Sequence, residues 1–187
     1  MAKLFYIVGA SGAGKDSLMN YCRKALDGNT APVVFAHRYI TRPVGAGHEN
    51  HICLSHEEFK LRQQNGLFAM YWHSHNLHYG IGIEINAWLQ RGFNVVVNGS
   101  REYLDVARSL FPDHLQAISI EADPEVIAHR LQNRGRETGS ELKERISRNS
   151  TLIFDRDGVI VIENNLTLEE AGRHLLKTLL SGIIEHA

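Results

Sequence analysis

Short apolar runs recur along the chain at Lys3–Val8, Pro32–Ala36, Phe93–Val97, Leu115–Ile120 and Val159–Ile162. Each is continuous rather than alternating and rich in β-branched residues, the pattern of a strand buried on both faces. The segments between them carry helix signals. Asp123-Pro124 reads as the N-cap and first residue of a helix running to about Arg134. Ser55-His56-Glu57-Glu58 is a capping box, and Thr167-Leu168-Glu169-Glu170 is another. The second opens a last helix with an apolar stripe at Ala171, Leu175, Leu179 and Ile183, flanked by Leu176, Leu180 and Ile184. That stripe is expected to pack on a sheet, with a homodimer interface as the alternative use. The strand–helix alternation predicts an α/β fold with a parallel sheet covered by helices on both faces.

The first strand runs into Gly9-Ala10-Ser11-Gly12-Ala13-Gly14-Lys15-Asp16-Ser17, and a helix-like segment follows. This is the layout of a phosphate-binding loop. Glycines let the backbone turn its N–H groups inward onto phosphate oxygens, the helix N-terminus adds positive potential, and Lys15 reaches the β/γ-phosphates. The position after the lysine normally carries a hydroxyl for Mg²⁺, and here it is Asp16. A carboxylate there is a hard oxygen ligand, so Asp16 is the candidate metal residue. Its place at a helix start also suits a purely structural cap.

Residues 37–81 and the polar stretch 135–140 interrupt the alternation. In α/β folds ligands sit at the carboxyl ends of the strands, and insertions there carry acceptor sites or lids. The remaining composition narrows the class. A chain of 187 residues with 43% hydrophobic and 22% charged residues suits a single globular domain. Its net charge of −1 leaves no basic field for nucleic acid. No run is long enough to span a membrane, and Cys22 and Cys53 have no framework spacing, so a cytoplasmic protein is expected. The eleven histidines are scattered. His73-Ser74-His75 would put two imidazoles on one strand face, but no acid or cysteine stands beside them at ligand spacing.

Phosphoryl transfer asks a protein to position two anions and to spread developing charge. Arginines stand where that would be done. Arg38 and Arg42 follow the second strand, Arg130, Arg134 and Arg136 flank the polar break, and Arg145 and Arg148 come next.

From Gly9 to about Asn165 the chain resembles the guanylate kinase family of P-loop nucleoside monophosphate kinases. The matching pieces are Gly9–Ser17, Tyr39-Ile40-Thr41-Arg42-Pro43, His78-Tyr79-Gly80 and Arg130-Leu131-Gln132-Asn133-Arg134-Gly135-Arg136. The resemblance implies one kinase domain over residues 1–187, an acceptor-binding insertion at about 37–81 and a lid at about 134–145. It also implies ATP and Mg²⁺. Gly9 to Ser17 and Arg136 would hold the nucleotide, and Lys15, Arg134 and Arg145 would act on the transferring group. Arg38, Arg42 and Tyr79 would grip the acceptor phosphate. Glu163-Asn164-Asn165 are expected near the donor base.

Several positions depart from that family. The glutamate that reads guanine is matched to His73, a phosphate-binding tyrosine to His51, a hydroxyl residue to Ile81 and the acid closing the third strand to Asn98. An imidazole cannot make the bidentate acceptor contact that a guanine edge needs. Gly-Lys-Asp-Ser, His37–Arg42, Glu49-Asn50-His51-Ile52, His78-Tyr79-Gly80 and Val97-Asn98-Gly99-Ser100-Arg101 together resemble one subfamily. Its members act on ribose 1,5-bisphosphate in bacterial phosphonate breakdown. The resemblance implies transfer of the ATP γ-phosphoryl to the C1 phosphate, with His51, His73, Asn98, Ser100 and Arg101 facing the acceptor. A guanylate or other nucleoside monophosphate kinase is the alternative.

Overall fold

In the computed structural model, residues 1–43, 51–133 and 154–181 are described. In chain order the strands are β1 Leu4–Gly9, β2 Val33–Phe35, β3 Arg38–Ile40, β4 His51–Cys53, β5 Phe68–Ser74, β6 Leu77–Gly82, β7 Asn94–Asn98, β8 Leu115–Glu121 and β9 Ile160–Glu163. The helices are α1 Lys15–Ala25, α2 His56–Gln64, α3 Glu84–Gln90, α4 Leu104–Leu110, α5 Pro124–Asn133 and α6 Leu168–Leu180. All five strands expected from the apolar runs are present within a residue or two. They form one parallel sheet in the order β2-β7-β1-β8-β9.

β1 explains why the runs are continuous. Leu4, Tyr6 and Val8 face one side with Val95, Val97 and Leu104. Phe5 and Ile7 face the other with Leu18, Cys22, Ile118 and Leu175. Both faces are covered, so no position on β1 is left for a polar residue. The stripe of α6 packs on the sheet through Ala171, Leu175 and Leu179. Ser55 and Thr167 accept hydrogen bonds from Glu58 N and Glu170 N, the caps their sequences predict.

The segment read only as an insertion forms a second sheet, β4-β3-β6-β5, with β3 antiparallel to β6 and β6 to β5. The β5–β6 hairpin turns on His75 and Asn76, both left-handed with φ 51° and 58°. A two-residue turn of that kind matches the strand twist. It also corrects the expectation of a His73/His75 pair on one strand face, because His75 is in the turn and β5 ends at Ser74.

The pairing assigns the two faces of this sheet, since register partners share a face. Arg38, His51, Ile81, Met70, Tyr79 and Trp72 lie on the face toward the main sheet. Tyr39, His73 and His78 lie on the opposite face, where Phe59 of α2 packs with Phe68 and Leu54.

Candidate active site

The phosphate loop is held from three directions. Gly12 and Gly14 have φ of 90° and 96°, a region that L side chains rarely adopt. Gly14 caps α1 without a side-chain hydrogen bond, leaving the helix-start amides for an anion. Lys15 Nζ donates to the Gly9 carbonyl at 2.8 Å and to the Ala10 carbonyl at 3.1 Å, so the ammonium lies over the loop. Asn164 Nδ2 donates to the Ala13 carbonyl at 2.7 Å. Arg130 Nη2 donates to the Asn164 carbonyl at 2.9 Å, and its Nη1 to Ala13 O at 3.4 Å. A side chain at Gly14 would collide with Asn164 Nδ2. Arg130 and Asn164 therefore brace the loop from α5 and from the end of β9.

Beside the loop, Asn98 Nδ2 donates to Asp16 Oδ1 at 2.8 Å. The residue after the lysine and the residue closing β7 thus form one polar unit. Asn98 is 4% exposed, and its Oδ1 has no hydrogen-bond partner among the described residues. A buried acceptor left that way marks a place where a donor or cation belongs. Asp16, Asn98 and Arg38 share a small cleft with Met19, Asn20, Arg23 and Ala36. Asp16 is its one carboxylate among the described residues. Asn20 and Arg23 were not singled out from sequence, although 16, 20 and 23 share one face of α1 by helical spacing. Arg23 donates to Asn20 Oδ1 at 2.8 Å and lies over the Phe35 ring at 4.9 Å.

On the second sheet, Arg38 lies over the Tyr79 ring at 5.3 Å. Arg42 Nη2 donates to His51 Nδ1 at 3.4 Å, and His51 Nε2 stands 3.4 Å from the Arg42 carbonyl. A proton on Nε2 satisfies both contacts. The structure does not bring His73 to this group. Its ring is 5.0 Å from His78, which is 5.6 Å from His56, on the side of the sheet that faces α2. Met70 and Trp72, whose neighbouring positions alternate with His73, take the inward face instead. The resemblance that matched His73 to a base-reading glutamate carried no strand register, and β5 has a bulge between Phe68 and Met70 that shifts its pairing.

Ser100 is fixed through its backbone. Its N–H donates to the Tyr6 phenol at 2.9 Å, and the phenol donates to the Ser100 carbonyl at 3.3 Å. A Cβ at Gly99 would collide with the Tyr6 ring, so this strand end needs glycine. Burial pushes the Tyr6 phenol well above its ordinary value, and it stays neutral. Arg101 follows in a short 3₁₀ turn, Arg101–Tyr103. Burial lowers its guanidinium, opposed by Glu102 and Glu121. Arg134, Arg136, Arg145 and Arg148 lie outside the described residues.

Among the described residues no group of three or more His, Cys, Asp or Glu side chains could hold a metal. Asp16 and Asn98 still fit Mg²⁺, which takes few protein oxygens and completes its shell with phosphates and water. No described helix is long and apolar enough to cross a membrane.

No family model matches the chain. Among solved structures it is similar to guanylate kinase from Anaplasma phagocytophilum, with a TM-score of 0.65 over 95% of this chain and 84% of that one. At 16% identity that likeness is one of fold. Curated relatives are nearer. The chain is 51% identical to ribose 1,5-bisphosphate phosphokinase PhnN of Thiobacillus denitrificans over 95% of its length and 92% of the relative. It is 46% identical to the protein of the same name from Desulfomicrobium baculatum over 97% and 98%. With identity at that level along nearly the whole of both chains, this protein belongs to the ribose 1,5-bisphosphate phosphokinase family.

Proposed function

We propose that the protein transfers the γ-phosphoryl group of ATP to the C1 phosphate of ribose 1,5-bisphosphate, giving 5-phospho-α-D-ribose 1-diphosphate and ADP. The observation that carries this reading is one cleft bounded by the start of α1, the end of β7 and Arg38 of the second sheet. A donor site and an acceptor sheet meet there, and on the inward face of that sheet Met70 and Ile81, fully buried and apolar, offer a base edge no hydrogen bond.

The nucleophile is a phosphate oxygen that is anionic at neutral pH, so no general base is needed. The burden is to bring two multiply charged groups into line. The amides of the loop and Lys15 hold the β/γ-phosphates, with the Lys15 ammonium exchanging the Gly9 and Ala10 carbonyls for phosphate oxygens. Arg38, Arg42, His51 and Tyr79 take the acceptor, and Ser100 and Arg101 approach it from the end of β7. Asp16 and Asn98 would hold Mg²⁺, which when bound offsets phosphate charge. Arg134, Arg136 and Arg145 are assigned to a lid at about 134–145 within one kinase domain. A cytoplasmic location suits an ATP-dependent enzyme whose two cysteines are both free.

The test is to incubate the protein with ATP, Mg²⁺ and either ribose 1,5-bisphosphate or GMP and to follow the products by ³¹P NMR. A new diphosphate doublet is expected with the sugar alone. Turnover of GMP in preference to the sugar would overturn the reading. Arg42→Ala is expected to lower kcat/KM for the sugar by about 100-fold, the scale of a lost charge-assisted contact, while ATP binding survives.

A further inference from the structure

Planar side chains are stacked in series across the second sheet. Arg38 of β3 lies over Tyr79 of β6, and Tyr79 is stacked on Trp72 of β5 with ring centroids 5.6 Å apart and 3° between planes. Trp72 in turn is stacked on Tyr103, at 5.5 Å and 30°. Tyr103 belongs to the turn after β7, and its backbone N–H bonds to the Ser100 carbonyl. The series therefore starts at an acceptor-site arginine and ends on the loop that follows Asn98. Trp72 and Tyr103 are both half-buried and pack on the edge of the main core, whereas Met70 and Ile81 on the same sheet face are fully buried.

We propose that Trp72, backed by Tyr103, is a positioning residue for Arg38. A free arginine side chain samples many rotamers, and a guanidinium laid on a ring is confined to a plane. The ring can do this only if it is itself fixed. β3 and β5 flank β6 on either side, so Arg38 and Trp72 approach Tyr79 from opposite sides. Trp72 stops Tyr79 from turning away, and Tyr103 ties Trp72 to the end of β7. With both sides of Tyr79 covered, the ring is not a platform for a nucleobase, as fits an acceptor that has none. The inference rests on Arg38 as an acceptor ligand and adds a device that aims it.

A double-mutant cycle tests this. Trp72→Leu is expected to raise KM for ribose 1,5-bisphosphate about tenfold while KM for ATP stays within about twofold, and Trp72→Phe, which keeps a ring, to restore most of the loss. Arg38→Ala is expected to cost about 100-fold in kcat/KM, and adding Trp72→Leu to it to cost less than about threefold more, because the two act as one unit. Tyr103→Leu is expected to repeat the Trp72→Leu pattern more weakly and serves if the first variant folds poorly. Full multiplication of the Trp72 and Arg38 effects, or equal rises in both KM values, would overturn the inference and leave the activity intact. No effect of Arg38→Ala would remove the acceptor assignment on which it rests.

Discussion

Asp16→Asn separates a metal ligand from a helix cap. The substitution preserves shape, and the new amide oxygen can still accept from Asn98 Nδ2, which now stands 2.8 Å from Asp16 Oδ1. What disappears is charge. A carboxylate in the first turn of a helix stabilises it by about 0.3–1 kcal/mol. Weakening a charge-assisted hydrogen bond to a neutral one costs a further ~0.5–1 kcal/mol. A pure cap therefore predicts a loss of about 1–2 kcal/mol, seen as a fall in Tm of about 2–8 °C for a chain of this size. A metal ligand predicts more. Asp16 is the one carboxylate among the described residues lining the cleft. Its loss should raise the free Mg²⁺ needed for half-maximal rate at least about tenfold, equivalent to ~1.4 kcal/mol of binding. The assay is initial velocity against free Mg²⁺ at saturating ATP, with thermal unfolding of the same preparations. A variant with lower Tm but an unchanged Mg²⁺ dependence would refute the metal assignment.

Tyr6→Phe leaves the half-buried Ser100 N–H without its phenol partner and is expected to cost about 1–2 kcal/mol in urea unfolding, with ATP affinity by calorimetry little changed. Burial, and then the neighbouring His73 and His56 imidazoles, hold His78 below its usual value of 6.5. The folded protein then binds fewer protons at this site than the unfolded chain, so the His78 contribution is absent above that value and destabilising as pH falls through it. Tm should drop on acidification from about pH 7 to 5, and the drop should be shallower in His78→Phe, which keeps a ring beside Phe59. An equal slope in both proteins would show that other groups set the acid limit.

The main sheet, the phosphate loop and the helix caps were legible along the chain because each rests on local rules. Doubly buried strands read as unbroken apolar runs, Ser55 and Thr167 cap with their own third neighbours, and the loop needs glycine where the backbone turns left-handed. The second sheet was legible only as an irregular insertion. Its strands β3 and β4 are each three residues long, too short for a period to emerge.

What tertiary structure alone decided is who stands beside whom. Asp16 and Asn98, far apart in the chain, become one polar unit because β1 and β7 are parallel neighbours that end at the same edge. Asn164, at the end of β9, braces the loop by donating to the Ala13 carbonyl, a contact across 151 residues of chain. The register of β5 beyond its bulge puts Trp72 on the face toward the main sheet and His73 on the other, since a strand changes sides with every residue. By itself the sequence determined the chemistry on hand: a phosphate loop, paired arginines and an acid in place of a hydroxyl. Which of those groups can act on one substrate depends on strand order and register, and these are set by long-range packing that no local pattern encodes.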